Sequence, residues 1–554
     1  MSAGSESAIP ESPFPTWGPN GIAASDHRLA SQAACEVMSE GGNAVDAAIT
    51  LSLTLGVLCP HYTGVGGGGF CLFWLPGFER PRVLDYRETA PAASKPGMFS
   101  DTRRASTRGA LAPGTPGTVA GLAELLEQHG TISWERALAP GLELAEKGFP
   151  TYPNLRRVIL GRLKMLSEYS ETARIFVTET GQGPLPGQLL RQPDLAATYR
   201  RLAEHGPREF YEGETAERII AELDRGGGVM TRQDLVDYKP VWREPISALY
   251  RGREVFTIGP PSGGGIQLLQ MLQMLEPFDF PPAKLGSART YHLQCEAMRI
   301  SFADRSSWIA DPAFFEVPVE AMLDPGRIAD LHLLIDPRRA NELVEMPPLE
   351  GYLAAGQSLP GQGGTASFCT ADSQGGFVVA TESVNLWFGS MVIAPGTGVV
   401  LNDIMDDFSQ RPGTPDAFGL VSSRINQVEA NKRPASSSTP ALVFEDGRPI
   451  IGSGSAGGPR IATSVFQILT HLLDHRLNVR QAMDAPRIHH QWLPNELVVE
   501  RFVPEDVRKG LRALGHRVAE GPARSHGCAI AWHEEDGLYY GAGDFRSGGA
   551  AAGC

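Results

Sequence analysis

The sequence predicts an α+β protein in which β-sheets are covered by layers of helices. Apolar residues recur with helical spacing from about residue 117 to 340. Short alternating strands separated by Gly, Asp and Asn turns dominate from about residue 365 onwards, and strand-like runs also occur before residue 90. This distribution fits a sandwich of sheets with helices packed on the outside.

Length and composition describe an ordinary folded protein. The 554 residues could form a large core, and length alone would allow three or four domains. Apolar residues make up 42% and charged residues 20%. The formal charge of −14 and the pI near 5.5 argue against nucleic acid or an anionic membrane as a partner.

The seven cysteines are spread singly along the chain, without a Cys-x-x-Cys motif. They predict neither a disulfide framework nor a zinc site, and they favour a cytoplasmic location. Residues 1–20 form a predicted disordered arm, because this Ser/Pro/Glu-rich stretch lacks the basic and apolar regions of a signal peptide. The longest apolar stretch, Ala44–Leu58, contains Asp46 and is too short and too polar to span a bilayer.

The first predicted elements surround a run of glycines. A helix is expected over residues 31–39, and Asn43 caps a second, buried helix over Ala44–Leu58. Residues 64–70 then supply four successive glycines before a strand at residues 71–74. A phosphate cradle would need a following Lys-Ser/Thr, so the run favours a backbone floor packed close to a catalytic centre.

The remaining elements follow the same patterns. Residues 83–86 predict a strand, and residues 259–265 predict a turn into a helix. Two helices interrupt the C-terminal strands, at residues 460–473 and 504–514. The middle of the chain is predicted to be mostly helical, over residues 118–129, 134–147, 196–205, 215–224, 265–275 and 288–308.

Gly363-Gly364-Thr365 joins a Pro/Gly-rich run, residues 347–364, to a predicted strand at residues 368–371. Such a junction is commonly a turn that enters a strand. It would also suit a chain that is cut between Gly364 and Thr365. The cut would free an α-amine, with an ordinary pKa of about 7.7–8.0, beside the Thr365 hydroxyl. That amine can act as the base for its own side chain.

Several stretches, taken together and in order, resemble the γ-glutamyltranspeptidase (glutathione hydrolase) family. These enzymes are N-terminal-nucleophile hydrolases with a four-layer αββα core. The likeness runs from about residue 21 to 545. Its motifs are EGGNAVDAA at 40–48, GGGGF at 66–70, DYRE at 85–88, PGTPGTVAG at 113–121, PPS at 260–262, NDIMDDFS at 402–409, KRPASS at 432–437, GG at 457–458 and APR at 485–487.

The resemblance implies a self-cleaved protein with Thr365 as the nucleophile. A large chain, residues 21–364, and a small chain, residues 365–554, would together form one globular heterodimer. Ser383 stands where the family has a Thr hydroxyl close to the nucleophile. Gly457 and Gly458 match the glycine pair whose backbone N–H groups bind the oxyanion.

The resemblance also assigns a trap for the γ-glutamyl zwitterion. Arg87 matches the guanidinium that grips the α-carboxylate, a task for which its planar fork is suited. Ser436 and Ser437 match the hydroxyl pair beside it, and Asp407 and Asn385 match the groups that hold the α-ammonium. Taken singly, an arginine after a strand, such as Arg87, is more often a solvated charge, and Asp406-Asp407 is more often a turn or a helix start.

Phe418 matches an aromatic residue that many family members carry on a flap over the site, and it is expected to act as a lid. His489 and His490 are adjacent in a predicted strand. Their side chains would point to opposite faces, so a structural role is favoured over metal binding. The implied chemistry needs no metal and no cofactor.

Two departures from the family pattern bear on the substrate. Ile404 occupies a position that generally carries Gln or Glu, which helps to hold the ammonium. Ala366-Ser367 follows Thr365, where many members have Thr-His. Both leave the nucleophile and the oxyanion glycines in place.

Three functional hypotheses remain. The first is a γ-glutamyl hydrolase/transferase that cleaves glutathione and related compounds, with water, an amino acid or a peptide as acceptor. The second is an amidase or acylase of the same mechanism that acts on a cephalosporin-type or small acid amide, as Ile404 suggests. The third is an uncleaved, non-catalytic relative.

Overall fold

The computed structural model describes residues 14–99, 103–281, 284–341, 363–410, 416–420, 423–522 and 524–554. The predictions for residues 1–13 and for most of the Pro/Gly-rich run before Thr365 lie outside these ranges. Within them, every helix is either too short or too polar to cross a bilayer.

Two antiparallel sheets of seven strands each form the centre of the described structure. The sheet that carries the predicted nucleophile has the order β19-β2-β10-β11-β3-β4-β7. Its strands are β2 (Gly21–Ser25), β3 (Gly68–Trp74), β4 (Arg82–Asp85), β7 (Val241–Arg243), β10 (Gly363–Asp372), β11 (Phe377–Leu386) and β19 (Ala550–Gly553). We call it the nucleophile sheet.

The second sheet, which we call the oxyanion sheet, has the order β1-β18-β17-β13-β12-β9-β8. Its strands are β1 (Thr16–Gly18), β8 (Ile246–Tyr250), β9 (Arg253–Thr257), β12 (Ala441–Glu445), β13 (Arg448–Ala456), β17 (His526–His533) and β18 (Leu538–Gly543). The remaining strands form small sheets: β5 (Phe149–Pro150), β6 (Leu189–Leu190), β14 (Ile488–His489), β15 (Leu497–Glu500) and β16 (Val518–Gly521).

One group of helices belongs to the side of the nucleophile sheet. It comprises α1 (Arg28–Ser39), α2 (Ala44–Leu58), α3 (Thr118–His129), α4 (Trp134–Lys147), α5 (Pro153–Leu166), α6 (Ser170–Phe176), α7 (Pro193–His205), α8 (Glu209–Glu212), α9 (Glu214–Arg225) and α10 (Arg232–Asp237). Helix α2 packs directly on β10 and β11. It is apolar nearly all round and buried throughout, and Asn43 and Asp46 form a capping box at its start.

The second group of helices belongs to the side of the oxyanion sheet. It comprises α11 (Gly264–Leu275), α12 (Ala288–Trp308), α13 (Val319–Met322), α14 (Pro325–Leu333), α15 (Arg460–Leu473), α16 (Val479–Asp484) and α17 (Glu505–Ala513). A separate apolar core lies between the two sheets and includes Phe70, Leu72, Phe256 and Ile530. Helix layer, sheet, sheet and helix layer together confirm the predicted four-layer αββα sandwich.

Several predicted elements differ from the observed ones. Residues 16–18 are not disordered: they form β1, because the edge of β18 offers unpaired backbone groups to them. The middle of the chain is less helical than predicted, since β7, β8 and β9 lie there. These strands are short, and they derive their stability from long-range pairing, which local periodicity does not reveal. The six-residue helix α16, which lies between α15 and β14, was not predicted.

Candidate active site

Thr365 lies near the start of β10, a central strand that pairs with both β2 and β11. Thr365 is 5% exposed. In the uncut chain, its backbone nitrogen is part of the Gly364–Thr365 peptide bond. The pairing with β11 shifts register between Gly364 and Thr365, so that Thr365 faces Ser383. A Cβ at Gly364 would lie 2.5 Å from the Leu386 carbonyl oxygen and 2.7 Å from that of His61, so only glycine fits before the nucleophile.

Ser383 connects the two sides of the predicted cut. Its hydroxyl donates to the Gly364 carbonyl oxygen at 2.6 Å and accepts from the Asn385 amide at 2.7 Å. The Thr365 Oγ1 and Ser383 Oγ atoms are 3.1 Å apart. Since the single proton of Ser383 is directed at Gly364, the Thr365 hydroxyl is the donor in this contact. The arrangement polarises the Gly364 carbonyl and holds the Thr365 hydroxyl beside it.

The run of glycines predicted as a backbone floor lies directly behind Ser383. Gly68 pairs with Ser383 across β3 and β11. A Cβ at Gly67 would lie 2.3 Å from the Ser383 carbonyl oxygen, and one at Gly69 would lie 2.5 Å from that of Thr381. The glycines therefore permit an approach of two backbones that any side chain would block.

Gly457 and Gly458 follow the last residue of β13 and precede α15. Their φ angles are +124° and +60°, in the left-handed region that favours glycine. Among the described residues, no group accepts a hydrogen bond from the amide N–H of either glycine. Two free amides at a strand-to-helix turn can serve as oxyanion donors.

Arg87 and Asp407 form a buried ion pair, with Nη2 and Oδ2 2.5 Å apart. Arg87 also donates from Nε to the Pro434 carbonyl and from Nη2 to the Ala435 carbonyl, both at 2.9 Å. Burial raises the pKa of Asp407 to about 6, although Arg87 opposes this shift. The two residues that are predicted to bind the opposite charges of the zwitterion thus pair with each other.

The predicted partners of Arg87 and Asp407 lie in the same place. Ser436 and Ser437 are buried in the segment that follows Ala435, and the Ser436 amide donates to the Pro261 carbonyl at 3.0 Å. Asn385 donates from Nδ2 to the Asp403 carbonyl at 3.0 Å, which leaves its Oδ1 as an acceptor. The φ of Asn385 is +76°, a conformation that asparagine tolerates better than most residues.

Phe418 is buried against the site. A Cβ at Gly458 would lie 2.5 Å from the Phe418 ring. The Phe418 carbonyl accepts a hydrogen bond from Gln491 Nε2 at 3.3 Å. The cavity beneath it measures about 40 Å³. A space of this size is large enough for a few waters but not for an amino-acid side chain. A substrate as large as an amino acid would fit only after Phe418 or its neighbours moved, and the lid role of Phe418 stays a prediction.

The structure brings nine of the ten predicted site residues to the lining of this one cavity. They are Arg87, Thr365, Ser383, Asn385, Asp407, Phe418, Ser436, Ser437 and Gly458. Gly457 lies one residue behind the lining. The segments that meet here are separated by up to several hundred residues in the sequence.

The sequence profile described as Gamma-glutamyltranspeptidase matches residues 30–554. The chain belongs to the γ-glutamyltranspeptidase family. The predicted family membership and the fold of an N-terminal-nucleophile hydrolase are thereby confirmed, and the protein is an enzyme of this family.

Relatives within the γ-glutamyltranspeptidase family include two kinds of protein. Glutathione hydrolase proenzyme of Escherichia coli (strain K12) is 38% identical over 538 residues, 96% of this chain and 91% of that protein. Acylase ACY 1 proenzyme of Pseudomonas sp. (strain V22) is 33% identical over 547 residues, with 97% and 94% coverage. The crystal structure of cephalosporin acylase from Bacillus halodurans superposes with a TM-score of 0.86 at 27% identity, covering 100% of this chain and 99% of that one.

Two buried charged residues at the site escaped the sequence analysis. Arg305, near the end of α12, lines the cavity. Glu382 is next to Ser383 on β11, and because side chains alternate along a strand it faces away from the cavity. Its carboxylate accepts hydrogen bonds from Ser52, Thr63 and Tyr86. Burial raises the pKa of Glu382 to about 7. Charged residues inside predicted apolar elements were the signal that could have revealed both.

The two departures from the γ-glutamyltranspeptidase pattern lie outside the cavity lining. Ile404 is fully buried and packs against Gly114, where an added Cβ would lie 2.6 Å from its Cγ2. Ser367 is also buried. Its hydroxyl donates to the Ala380 carbonyl and its amide to Asp26, so it stabilises β10 from behind.

The two adjacent histidines are engaged separately. His489 contacts Thr463 and Gln491, and His490 contacts Asn495. Another group, His292, Glu296 and His516, brings its ligand atoms within 4.8 Å of one another.

In that second group, however, the His292 Nδ1 and His516 Nε2 atoms are 2.7 Å apart and share a hydrogen bond. The Glu296 carboxylate pairs with Arg299. Two nitrogens that bind one zinc ion at about 2.0–2.1 Å would lie farther apart than this. The contacts describe a buried polar network.

Proposed function

We propose that this chain is a self-processing γ-glutamyl hydrolase/transferase with Thr365 as its N-terminal nucleophile. The observation that carries the proposal is the position of Ser383, whose hydroxyl contacts both the Thr365 hydroxyl and the Gly364 carbonyl. A side chain that touches the attacking group and the bond to be cut is what self-cleavage at this peptide requires.

In self-cleavage, the Thr365 oxygen attacks the Gly364 carbonyl carbon. Ser383 donates to the carbonyl oxygen as negative charge develops there. The C–N bond then breaks, its nitrogen takes the proton that the Thr365 hydroxyl gave up, and an ester joins Gly364 to the Thr365 side chain. Hydrolysis of that ester leaves a carboxylate on Gly364 and a free amino group on Thr365.

In the mature enzyme, the amine of Thr365 takes the proton of its own hydroxyl as the oxygen attacks the side-chain carbonyl of a γ-glutamyl amide. The amides of Gly457 and Gly458 stabilise the oxyanion. The proton returns to the leaving amine, and a γ-glutamyl ester of Thr365 remains. Water completes hydrolysis, whereas an amino acid or peptide amine completes transfer.

The charged end of the donor, which is remote from the reacting carbonyl, binds to the cavity residues that lie away from Thr365. Arg87, Ser436 and Ser437 receive the α-carboxylate, and Asp407 and Asn385 receive the α-ammonium. The zwitterion replaces the ion pair between Arg87 and Asp407, so each charge exchanges one partner for another. Binding energy gained here positions the carbonyl over Thr365.

A second candidate function is favoured by one observation. Ile404 presents a fully buried apolar side chain where the family pattern has an acceptor for the ammonium. An enzyme with this change could act on an acyl group without an ammonium. Similarity to the Pseudomonas acylase and to the Bacillus halodurans cephalosporin acylase supports this alternative.

The first experiment is mass spectrometry of freshly purified protein under denaturing conditions. We expect two chains, residues 1–364 and residues 365–554, the second beginning with an unblocked threonine. A single intact chain that hydrolyses amides normally would contradict the proposed nucleophile. An intact and inactive chain would instead favour the non-catalytic reading.

The second experiment compares three p-nitroanilide donors on the processed enzyme: γ-glutamyl, glutaryl and a cephalosporin-type side-chain acyl group. We expect the highest kcat/KM for the γ-glutamyl donor. A higher value for either donor without an ammonium would select the acylase alternative. Addition of glycylglycine as an acceptor measures the balance of transfer and hydrolysis.

A further inference from the structure

Arg305 is a buried arginine whose charge has no counter-ion in the described part of the chain. It lies near the C-terminal end of α12, is 5% exposed, and lines the cavity with Thr365 and Ser437. Its Nη2 donates to the Ser436 carbonyl and to the Ser437 hydroxyl, each at 3.2 Å. Its Nε, although buried, has no hydrogen-bond partner. Burial without a counter-ion is costly for a guanidinium.

The two nearby carboxylates are both engaged by other groups. Asp407 pairs with Arg87. Asp416 accepts the amides of Phe418 and Leu420 at 2.8 and 2.9 Å, and burial raises its pKa well above the ordinary value. Neither lies within ion-pair distance of Arg305.

The two arginines of the cavity therefore differ in what they can offer a ligand. Arg87 has its charge balanced by Asp407, and two backbone carbonyls take further N–H groups. Arg305 has only neutral acceptors. An anionic group that enters the cavity would find its strongest uncompensated attraction at Arg305, beside the Ser437 hydroxyl.

We propose that Arg305 is a second, specificity-determining arginine that binds the free carboxylate of the acyl donor, in addition to Arg87 and together with Ser437. The preferred substrate class is then the monoamide of a dicarboxylic acid, with the amide at one end and a carboxylate at the other. This inference rests on the proposed function, because it names the donor class for the same site.

The test compares Arg305→Met and Arg305→Lys with the wild type. Three p-nitroanilides are used: γ-glutamyl, which carries carboxylate and ammonium; glutaryl, which carries the carboxylate alone; and 4-aminobutyryl, which carries the ammonium alone. With enzyme in excess over donor, a single turnover can be followed, so that a rate of acyl transfer can be measured even for donors that react slowly. Self-cleavage of each variant shows that its fold and nucleophile are intact.

We expect Arg305→Met to lower kcat/KM about tenfold to a hundredfold for the two carboxylate donors, mainly through KM, as for loss of a hydrogen bond to a charged group. The 4-aminobutyryl donor should change less than threefold. Arg305→Lys should restore part of the loss. A uniform loss over the three donors, or none, would overturn the proposal.

Arg299→Met is the matched control, because Arg299 is a buried arginine on the same helix that contacts Glu296 and does not line the cavity. It should lower thermal stability without changing the ratios between donors. Ser437→Ala, alone and combined with Arg305→Met in a double variant, shows whether Arg305 contacts the donor carboxylate directly or only positions the Ser437 hydroxyl. If Arg305 acts only by holding Ser437, the double variant will be no worse than Ser437→Ala, and direct binding is refuted.

Failure of the proposed function is distinguishable from failure of this inference. If the processed wild type turns over none of the three donors, the proposed function fails. Calorimetry with glutarate and with 4-aminobutyrate then tests Arg305 alone. Weaker binding of glutarate only, in Arg305→Met, supports the inference, and equal changes for both ligands contradict it.

Discussion

The cavity has two walls that are built differently. The reaction wall, Thr365 with Ser383 and Gly458, is fixed by the backbone: a strand register, a β-bulge and a strand-to-helix turn. The recognition wall, which includes Arg87 and Asp407, consists of side chains from separate loops and helices. With the proposed roles, the chemistry depends on backbone geometry, whereas acyl recognition depends on side chains that few substitutions would alter. Ile404, beside the recognition wall, is a position where we propose such a change.

The largest expected effect concerns the reaction wall. Thr365→Ala removes the attacking oxygen from self-cleavage and from turnover. We expect a single uncut chain on a denaturing gel and a loss of kcat of at least about 10⁴-fold. Thr365→Ser keeps a hydroxyl and an α-amine after cleavage, and should process and turn over at a reduced rate. Retained cleavage in Thr365→Ala would show that the cut is made by another group.

Gly458→Ala should have the next largest effect. The added Cβ would lie 2.5 Å from the Phe418 ring, and the residue would be held at a φ of +60°. We expect kcat to fall on the order of a hundredfold as the oxyanion donor moves. The free energy of unfolding should fall by about 1–2 kcal/mol.

Gly447→Ala is the matched control for Gly458→Ala. Gly447 also has a positive φ, +77°, but an added Cβ meets nothing within 4 Å. It lies in the turn before β13, far along the strand from Gly457. Stability should fall as in Gly458→Ala while kcat stays within about twofold, and an equal loss of kcat in both would refute the oxyanion role.

The same contrast explains how much the sequence could predict. The buried helix Ala44–Leu58 has a local signature and was predicted at its observed place. The Gly-Gly-Thr junction before Thr365 was also read from local composition, whereas Gly457 was assigned only through the family resemblance. The predicted αββα layering followed from the family resemblance. The positions of nine site residues in one cavity could be expected only through that resemblance, since no local pattern connects segments so far apart.

Arg305 illustrates what sequence reasoning could not supply. It stands in a helix that is buried along most of its length, where helical spacing alone marks it as a polar position. Its significance depends on the absence of a counter-ion among the described residues, which is a property of the folded environment. Strands β8 and β9 were missed for a similar reason, because long-range pairing stabilises them.

Asp407 gives a prediction for the recognition wall with a pH signature. Its folded pKa is raised to about 6, so the carboxylate is lost as pH falls through this value. The ratio of kcat/KM for γ-glutamyl over glutaryl donors should therefore decrease below about pH 6. The ratio cancels the titration of the Thr365 amine, which affects both donors.

Asp407→Asn should abolish this pH dependence. It should also lower the γ-glutamyl rate about tenfold to a hundredfold, because a charged partner of the ammonium is lost. The glutaryl rate should be unchanged or higher, since Arg87 then keeps an unbalanced charge for the carboxylate. A pH-dependent ratio in the variant would place the titrating group elsewhere.

The smallest expected effect tests how easily the recognition wall changes. Ile404→Gln introduces an acceptor at the first residue of the 3₁₀ turn Ile404–Asp407. We expect the ratio of γ-glutamyl to glutaryl kcat/KM to rise about two- to tenfold, less than a full hydrogen bond to the charged ammonium would give, because residue 404 lies outside the cavity lining. Stability should fall, because Ile404 is fully buried against Gly114.

Ile404→Leu is the control for this substitution, since it retains an apolar side chain of equal volume and should leave the ratio unchanged. An equal ratio in both variants would mean that the position does not reach the ammonium. The recognition wall would then discriminate through Asp407 and Asn385 alone. A rise confined to the Gln variant would show that one residue beside the cavity shifts donor preference while the reaction wall stays as it is.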